Sequence, residues 1–236
     1  MAKDVQPTKK KILFSIFAKE FLLVLLLLLC LSVFAYAVNL VFIKKQTDFD
    51  ENVFEAIRPH ITPGRTQFMA FISFLGKHSL LIPLNLLLIG FFLFSKKKWL
   101  AIRIAALALS SLFIKFGLKL LFQRERPPVP VIEKVRGFSF PSGHALIGVV
   151  FYGLLIYVVW HQVKIKWLRI TLTCFFVALI LLISFSRVYL RVHYLSDVIA
   201  GIAIGIIWLL LSLRIMNAIE RRYVQQRLIK PEELAE

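Results

Sequence analysis

His193 and Asp197 are four residues apart in a chain that is 59% hydrophobic. On a helix that spacing places both on one face, about 6 Å apart along the axis. A carboxylate so placed accepts a hydrogen bond from one ring nitrogen, fixes the tautomer and leaves the other nitrogen free to act as a nucleophile. Either residue alone reads more simply, the His as an interfacial hydrogen-bonding group and the Asp as a helix-start residue favoured by the dipole. Ser186 and Arg187 stand just upstream in the same piece, SRVYLRVHYLSD. Taken together, the four residues read as chemistry.

Two further pieces complete the set. Pro141-Ser142-Gly143-His144 opens another apolar segment. Ser142 is a suitable N-cap, Gly143 allows close approach to the backbone, and the free N–H groups with the positive dipole end make a seat for phosphate. Without the histidine this is an ordinary capped helix start; His144 adds a general acid beside the anion. Residues 119–127, KLLFQRERP, supply Lys119 and Arg126. A cation at the end of an apolar segment ordinarily snorkels, which is the expectation for Lys115 and Arg124. Lys119, Arg126 and Arg187 converging on one point would instead neutralise the equatorial oxygens of a phosphoryl group, where charge sits during transfer.

The elements that must position these pieces are membrane spans. With 236 residues, long apolar runs and a mean hydropathy of +0.78, the chain reads as one integral membrane domain over residues 1–236. A net charge of +17 would point to nucleic acid in a soluble protein. Here the cations lie in short loops and tails between apolar segments, with no basic face interleaved with aromatics. They read as topology signals that also attract anionic headgroups, so the expected partner is the bilayer and not nucleic acid. Cys30 and Cys174 sit within apolar runs and read as packing residues.

The expected architecture is an all-α bundle of six transmembrane helices. Basic residues 1–20, with Ile12, Leu13, Ile16 and Phe17 on one face, suit an interfacial N-terminal helix. The spans follow at about residues 21–43, 79–94, 100–122, 143–160, 167–185 and 194–213. The second is short; it carries Pro83, follows Gly76, and has an alternative start within 66–74. Ala35-Tyr36-Ala37 resembles a signal-peptidase site, but the apolar run continues to Ile43, so the segment reads as a retained span. Between the first two spans, Val53, Phe54 and Ile57 mark one face of a helix on the extracytoplasmic surface.

Orientation follows from the Lys and Arg residues. Five precede the first span, four fall at 96–103, three at 164–169 and five after Leu213. Trp99, Trp160 and Trp167 fall at the same interface. Both termini are therefore expected in the cytoplasm, with residues 214–236 a solvated helical tail and all three polar pieces on the outside of the cell membrane.

These pieces resemble, without gap or substitution at the defining positions, the signature of the type-2 phosphatidic acid phosphatase superfamily. Six spans with both ends inside are similar to its membrane branch. The resemblance implies that His193 attacks phosphorus to form a phosphohistidine, with Asp197 orienting it. It implies that His144 protonates the leaving oxygen and later activates water. Lys119, Arg126, Arg187, Ser142 and the Gly143 backbone would hold the phosphate, with no metal or other cofactor required. Arg191 stands where relatives commonly have a small residue, often Gly, and Leu195 where Pro is common. Arg191 would add a cation beside the pocket and so bear on specificity for a second phosphate or acidic headgroup.

The implied activity is hydrolysis of a membrane lipid phosphate at the outer leaflet. Candidate substrates are phosphatidylglycerophosphate, phosphatidic acid, undecaprenyl diphosphate and lipid A. A phosphotransferase of the same superfamily, passing the phosphoryl group to another lipid, would share every site residue. Vanadium haloperoxidases share the phosphate-site motifs but are soluble, against six spans. A transporter with pathway-lining charges would release no phosphate. Oligomeric state has no signature in the sequence.

Overall fold

In lipid, an apolar segment has no water to satisfy its backbone, so it must bond to itself as helix. The computed structural model describes residues 9–132 and 136–233, with side chains over 17–132 and 136–226. Among the described residues there are eight α-helices and no strand. They are α1 (Lys9–Val38), α2 (Asp48–Ile57), α3 (Pro63–Leu75), α4 (His78–Phe94), α5 (Lys98–Phe122), α6 (Gly143–Gln162), α7 (Lys166–Tyr189) and α8 (Leu195–Glu233).

Among the described residues, five stretches are long and apolar enough to cross a membrane: Phe17–Ile43, Lys98–Phe122, Gly143–Gln162, Lys166–Tyr189 and Leu195–Gln226. A sixth is made only by joining α3 to α4, which meet at a 40° bend. The expected second span, 79–94, corresponds to α4, and its alternative start within 66–74 falls in α3, across the break. Gly76 lies at the break between α3 and α4, and α4 alone is 17 residues long, about 26 Å at 1.5 Å per residue.

The expected interfacial helix merges with the first span. From Lys9 onward it is the opening of α1 itself, which runs unbroken to Val38 and closes in a π turn over Asn39–Ile43. Lysine is a good helix former, so a basic start does not interrupt an apolar helix. Residues 1–8 of that expectation lie outside the described residues. The tail is likewise a continuation of α8, and its first turns are docked. Arg214 pairs with Glu20 of α1, while Glu220 and Asn217 accept from buried Arg103 of α5.

The middle of the bundle is α6. Ala145, Leu146, Val150 and Leu154 are at most 2% exposed, packed among α4, α5, α7 and α8. Leu22, Leu25, Leu29 and many other side chains on α1 are exposed, as expected for a lipid-facing helix. α8 reaches α6 through two glycines one turn apart. A Cβ on Gly201 would lie 2.6 Å from the Ser142 carbonyl oxygen, and one on Gly205 3.0 Å from that of Leu146. Small residues at this spacing let helix backbones touch. The close seat brings the first turn of α8 against the start of α6, where Ser142 N–H donates to Asp197 O at 2.9 Å.

The end of α5, the start of α6, the end of α7 and the start of α8 therefore meet at one end of the bundle. α2 packs there too, with Phe54 against Ala145, Val188 and Val198. Its acidic first turn, Asp48, Asp50 and Glu51, suits a helix N-terminus.

Candidate active site

His193 lies in the short connection between α7 and α8 and is 1% exposed. Asp197, fully buried, is in the first turn of α8 and reaches back to accept the Tyr194 N–H at 3.0 Å. This side-chain-to-backbone closure resembles half of a capping box and ties the loop to the helix start. His193 Nδ1 is 3.4 Å from Asp197 Oδ2 and 3.2 Å from Ser139 Oγ, which itself donates to Asp197. With Nδ1 carrying the proton toward these oxygens, Nε2 keeps its lone pair. Nε2 is 3.1 Å from Arg126 Nη1.

Arg126 is fixed by three backbone carbonyls, those of Gly137 (2.8 Å), Val192 (2.7 Å) and Phe138 (3.2 Å). Lys119 Nζ donates to the Phe138 carbonyl. Arg187, 4% exposed, donates through Nη1 to Ser73 Oγ of α3. His144 faces the α3–α4 break, where a Cβ on Gly76 would come within 3.2 Å of its Cδ2. Lys119, Arg126, Gly143, His144, Arg187 and His193 line one cavity of about 340 Å³. Asp197 stands behind His193.

Ser142 is buried at the N-cap position, yet its hydroxyl makes no capping bond. Its Oγ and Arg187 Nε are buried without a hydrogen-bond partner among the described residues. Buried polar atoms are seldom left so. Gly143 has a packing reason in addition to backbone access: a Cβ there would lie 2.8 Å from Lys115 Cδ and 3.7 Å from Lys119 Cε.

Arg191 stands beside the pocket and not within it. It borders a separate cleft of about 580 Å³ that shares Arg126, Arg136, Gly137 and Phe138 with the His193 cavity. Its guanidinium sits over the Phe54 ring, 4.8 Å from the centroid, and its backbone is left-handed at φ 51°. That conformation favours glycine, a physical reason for the small residue that the family resemblance implies here.

Arg124 does not snorkel. It bridges two buried carboxylates, at 2.6 Å to Asp197 Oδ1 and 2.9 Å to Asp50 Oδ2, and also donates to Ser196 Oγ at 2.8 Å. Asp50 in turn accepts from Ser196 N (2.9 Å) and Oγ (2.6 Å). Through Arg124, α2 is fastened to the carboxylate behind His193. Among the described residues, no three His, Cys, Asp or Glu side chains are grouped as metal ligands.

Burial, then the charges of Arg187, Arg126 and Lys119, hold the His193 imidazole well below its usual range. Neutral His193 is the form able to attack. The sign for stability follows: between the ordinary value of about 6.5 and the depressed folded one, the unfolded chain binds a proton that the folded chain does not. Stability tied to His193 is complete above that window and is lost as pH falls through it. In a histidine-labelled NMR titration, the resonance missing from His193→Gln is expected to titrate well below pH 6.5. A midpoint at or above the ordinary value would contradict the burial and charge just described.

Comparison with known proteins identifies the family and the fold. Phosphatidylglycerophosphatase B of Bacillus subtilis (strain 168) is 27% identical over 61% of this chain and 72% of its own length. The undecaprenyl-diphosphatase of Sulfolobus acidocaldarius is 27% identical over 87% of this chain and 96% of its own. The crystal structure of a transmembrane PAP2 type phosphatidylglycerolphosphate phosphatase from Bacillus subtilis superimposes with a TM-score of 0.73 at 25% identity, covering 83% of this chain and 96% of that one. The PAP2 superfamily model matches residues 99–221, a stretch that holds all three polar pieces and more than half of the sequence, so the chain belongs to the PAP2 superfamily.

Proposed function

We propose that this PAP2 membrane phosphatase hydrolyses lipid-linked phosphates at the outer leaflet, without a metal, through a phosphohistidine on His193. The observation that carries the reading is the pairing of His193's two nitrogens: Nδ1 anchored by Asp197 and Ser139, Nε2 directed into a cavity walled by cations.

The lipid phosphate enters with its phosphorus in front of Nε2. Lys119, Arg126 and Arg187 carry the charge on the equatorial oxygens, and the spare Ser142 hydroxyl and Arg187 Nε supply further donors. Nε2 bonds to phosphorus as the bond to the leaving oxygen breaks, and His144 protonates that oxygen. Asp197 stabilises the positive charge that develops on His193. His144 then takes a proton from water, whose oxygen attacks phosphorus and frees inorganic phosphate and His193. The outer-leaflet assignment rests on the cation distribution, with the polar pieces at the opposite end of the bundle from Lys96–Lys98 and the tail.

The test is phosphate release by the detergent-purified protein, with a chelator present, from a panel of phosphatidylglycerophosphate, phosphatidic acid and polyprenyl diphosphate. Release in the chelator is expected; a requirement for a divalent ion would overturn the metal-free step. Repeating the assay with and without an acceptor lipid separates hydrolysis from phosphotransfer, hydrolysis giving free phosphate in both.

A further inference from the structure

The cavity in front of His193 has three basic side chains that the phosphoryl clamp does not use, His78, Lys115 and Arg136. Arg136 also borders the cleft beside Arg191, whereas His78 and Lys115 do not. Lys115 is one turn before Lys119 on α5, hence about 6 Å deeper along the helix. The bare Cα of Gly143 makes room for its stem. Its ammonium is 4.1 Å from the Phe116 ring centroid and has no ion pair or hydrogen bond among the described residues. His78 opens α4, two residues after the Gly76 break that faces His144, and its imidazole likewise makes no hydrogen bond among the described residues.

His78 lies where the cavity meets an apolar groove, and Lys115 is one turn along α5 from Ser111, which lines that groove. The groove, about 420 Å³, runs between α4, α5 and α6, with Leu81, Leu86, Leu109 and Leu112 in its wall. His78 and Ile147 line both spaces. A lipid with its tail in this groove and its reacting phosphorus at His193 must therefore carry its linking atoms past His144, His78 and Lys115. That is the leaving-group side.

The chemistry of the leaving group decides what basic residues there can do. A phosphomonoester expels an alcohol, which needs a proton, and His144 supplies one. A lipid diphosphate expels a lipid monophosphate, an anion whose charge grows as the bridging bond breaks and is stabilised by nearby cations and donors. A free ammonium and an imidazole beside His144 suit the second case.

We propose that His78 and Lys115 form a leaving-group subsite for the lipid-proximal phosphate, which makes lipid diphosphates the favoured substrates of this chain. The proposal rests on the phosphohistidine reading above. Nε2 of His193 bonds to the terminal phosphorus while the bond to the bridging oxygen breaks. The electron pair stays on that oxygen, which departs as lipid monophosphate against Lys115 and His78. Water then cleaves the phosphorus–nitrogen bond, releasing inorganic phosphate.

The test compares kcat/KM on a polyprenyl diphosphate and a polyprenyl monophosphate of equal chain length, using the full-length protein in detergent. The wild type is expected to favour the diphosphate by about 10-fold or more, and Lys115→Gln to shrink that ratio by about 10-fold or more, the order for losing one charge-stabilising donor. Lys115→Arg, which keeps the cation, restores most of the ratio, and His78→Gln lowers it in the same direction. A wild type with no preference overturns the subsite, as does an unchanged ratio in Lys115→Gln, including equal losses on both lipids. Should Lys115→Gln not fold, the ratio in His78→Gln decides. A wild type inactive on both lipids, or release that survives His193→Ala, overturns the underlying reading instead.

Discussion

Alanine in place of His193 is expected to reduce phosphate release from any lipid phosphate by about 10⁴-fold or more, the order lost when the nucleophile of a covalent mechanism is removed. The size of the effect follows from what remains. Lys119, Arg126 and Arg187 would still bind the phosphate, but among the described residues no other side chain in the cavity combines a lone pair with an anchoring carboxylate. KM should move far less than kcat, because the clamp is intact. His144→Ala, which removes only proton transfer, should lose less, about 10²–10⁴-fold. Equal, small losses in both variants would mean that neither imidazole forms a bond to phosphorus.

Methionine in place of Arg124 is expected to destabilise the protein by about 3–5 kcal/mol, because it leaves buried carboxylates uncompensated. Asp50 and Asp197 are 1% and 0% exposed, and the Arg124 guanidinium lies between them at 2.9 and 2.6 Å. Lysine is a poor substitute, since one ammonium lacks the planar fork that serves both carboxylates at once. Asp50→Asn removes one of the two charges, so adding it to Arg124→Met should cost less than the sum of the single changes. Thermal unfolding in detergent reads all of these. An Arg124→Met protein that melts with the wild type would show that the bridge contributes little to stability.

The fold was legible where apolar runs are long and uniform. Residues 100–122, 143–160 and 167–185 each correspond to one helix, because only internal hydrogen bonding satisfies such a segment. Legibility failed where composition changes without breaking the helix, as at the basic start of α1; at Gly76, where a helix breaks inside an apolar stretch, two starts stayed open for the second span. The His–Asp pair was legible by its spacing, although His193 stands just before α8 and not within it; the loop replaces the expected helical face. Ser139 gave no sign, as a serine without special spacing. Arg124 and Asp50 were hidden for another reason. Their link spans 74 residues, and Asp50's link to Ser196 spans 146. Local pattern cannot separate a cation that snorkels from one that finds a carboxylate on a distant helix.

The bond between His193 and phosphorus can be sought itself. Rapid mixing with a lipid phosphate bearing a labelled terminal phosphoryl group, quenched in base to preserve phosphohistidine, should leave label on the wild-type protein within one turnover. Peptide mapping should place it on His193. The phosphohistidine mechanism predicts that label at His193 and none in His193→Ala. Label on another residue, label retained in His193→Ala, or rapid turnover with no labelled protein at any time point would contradict it.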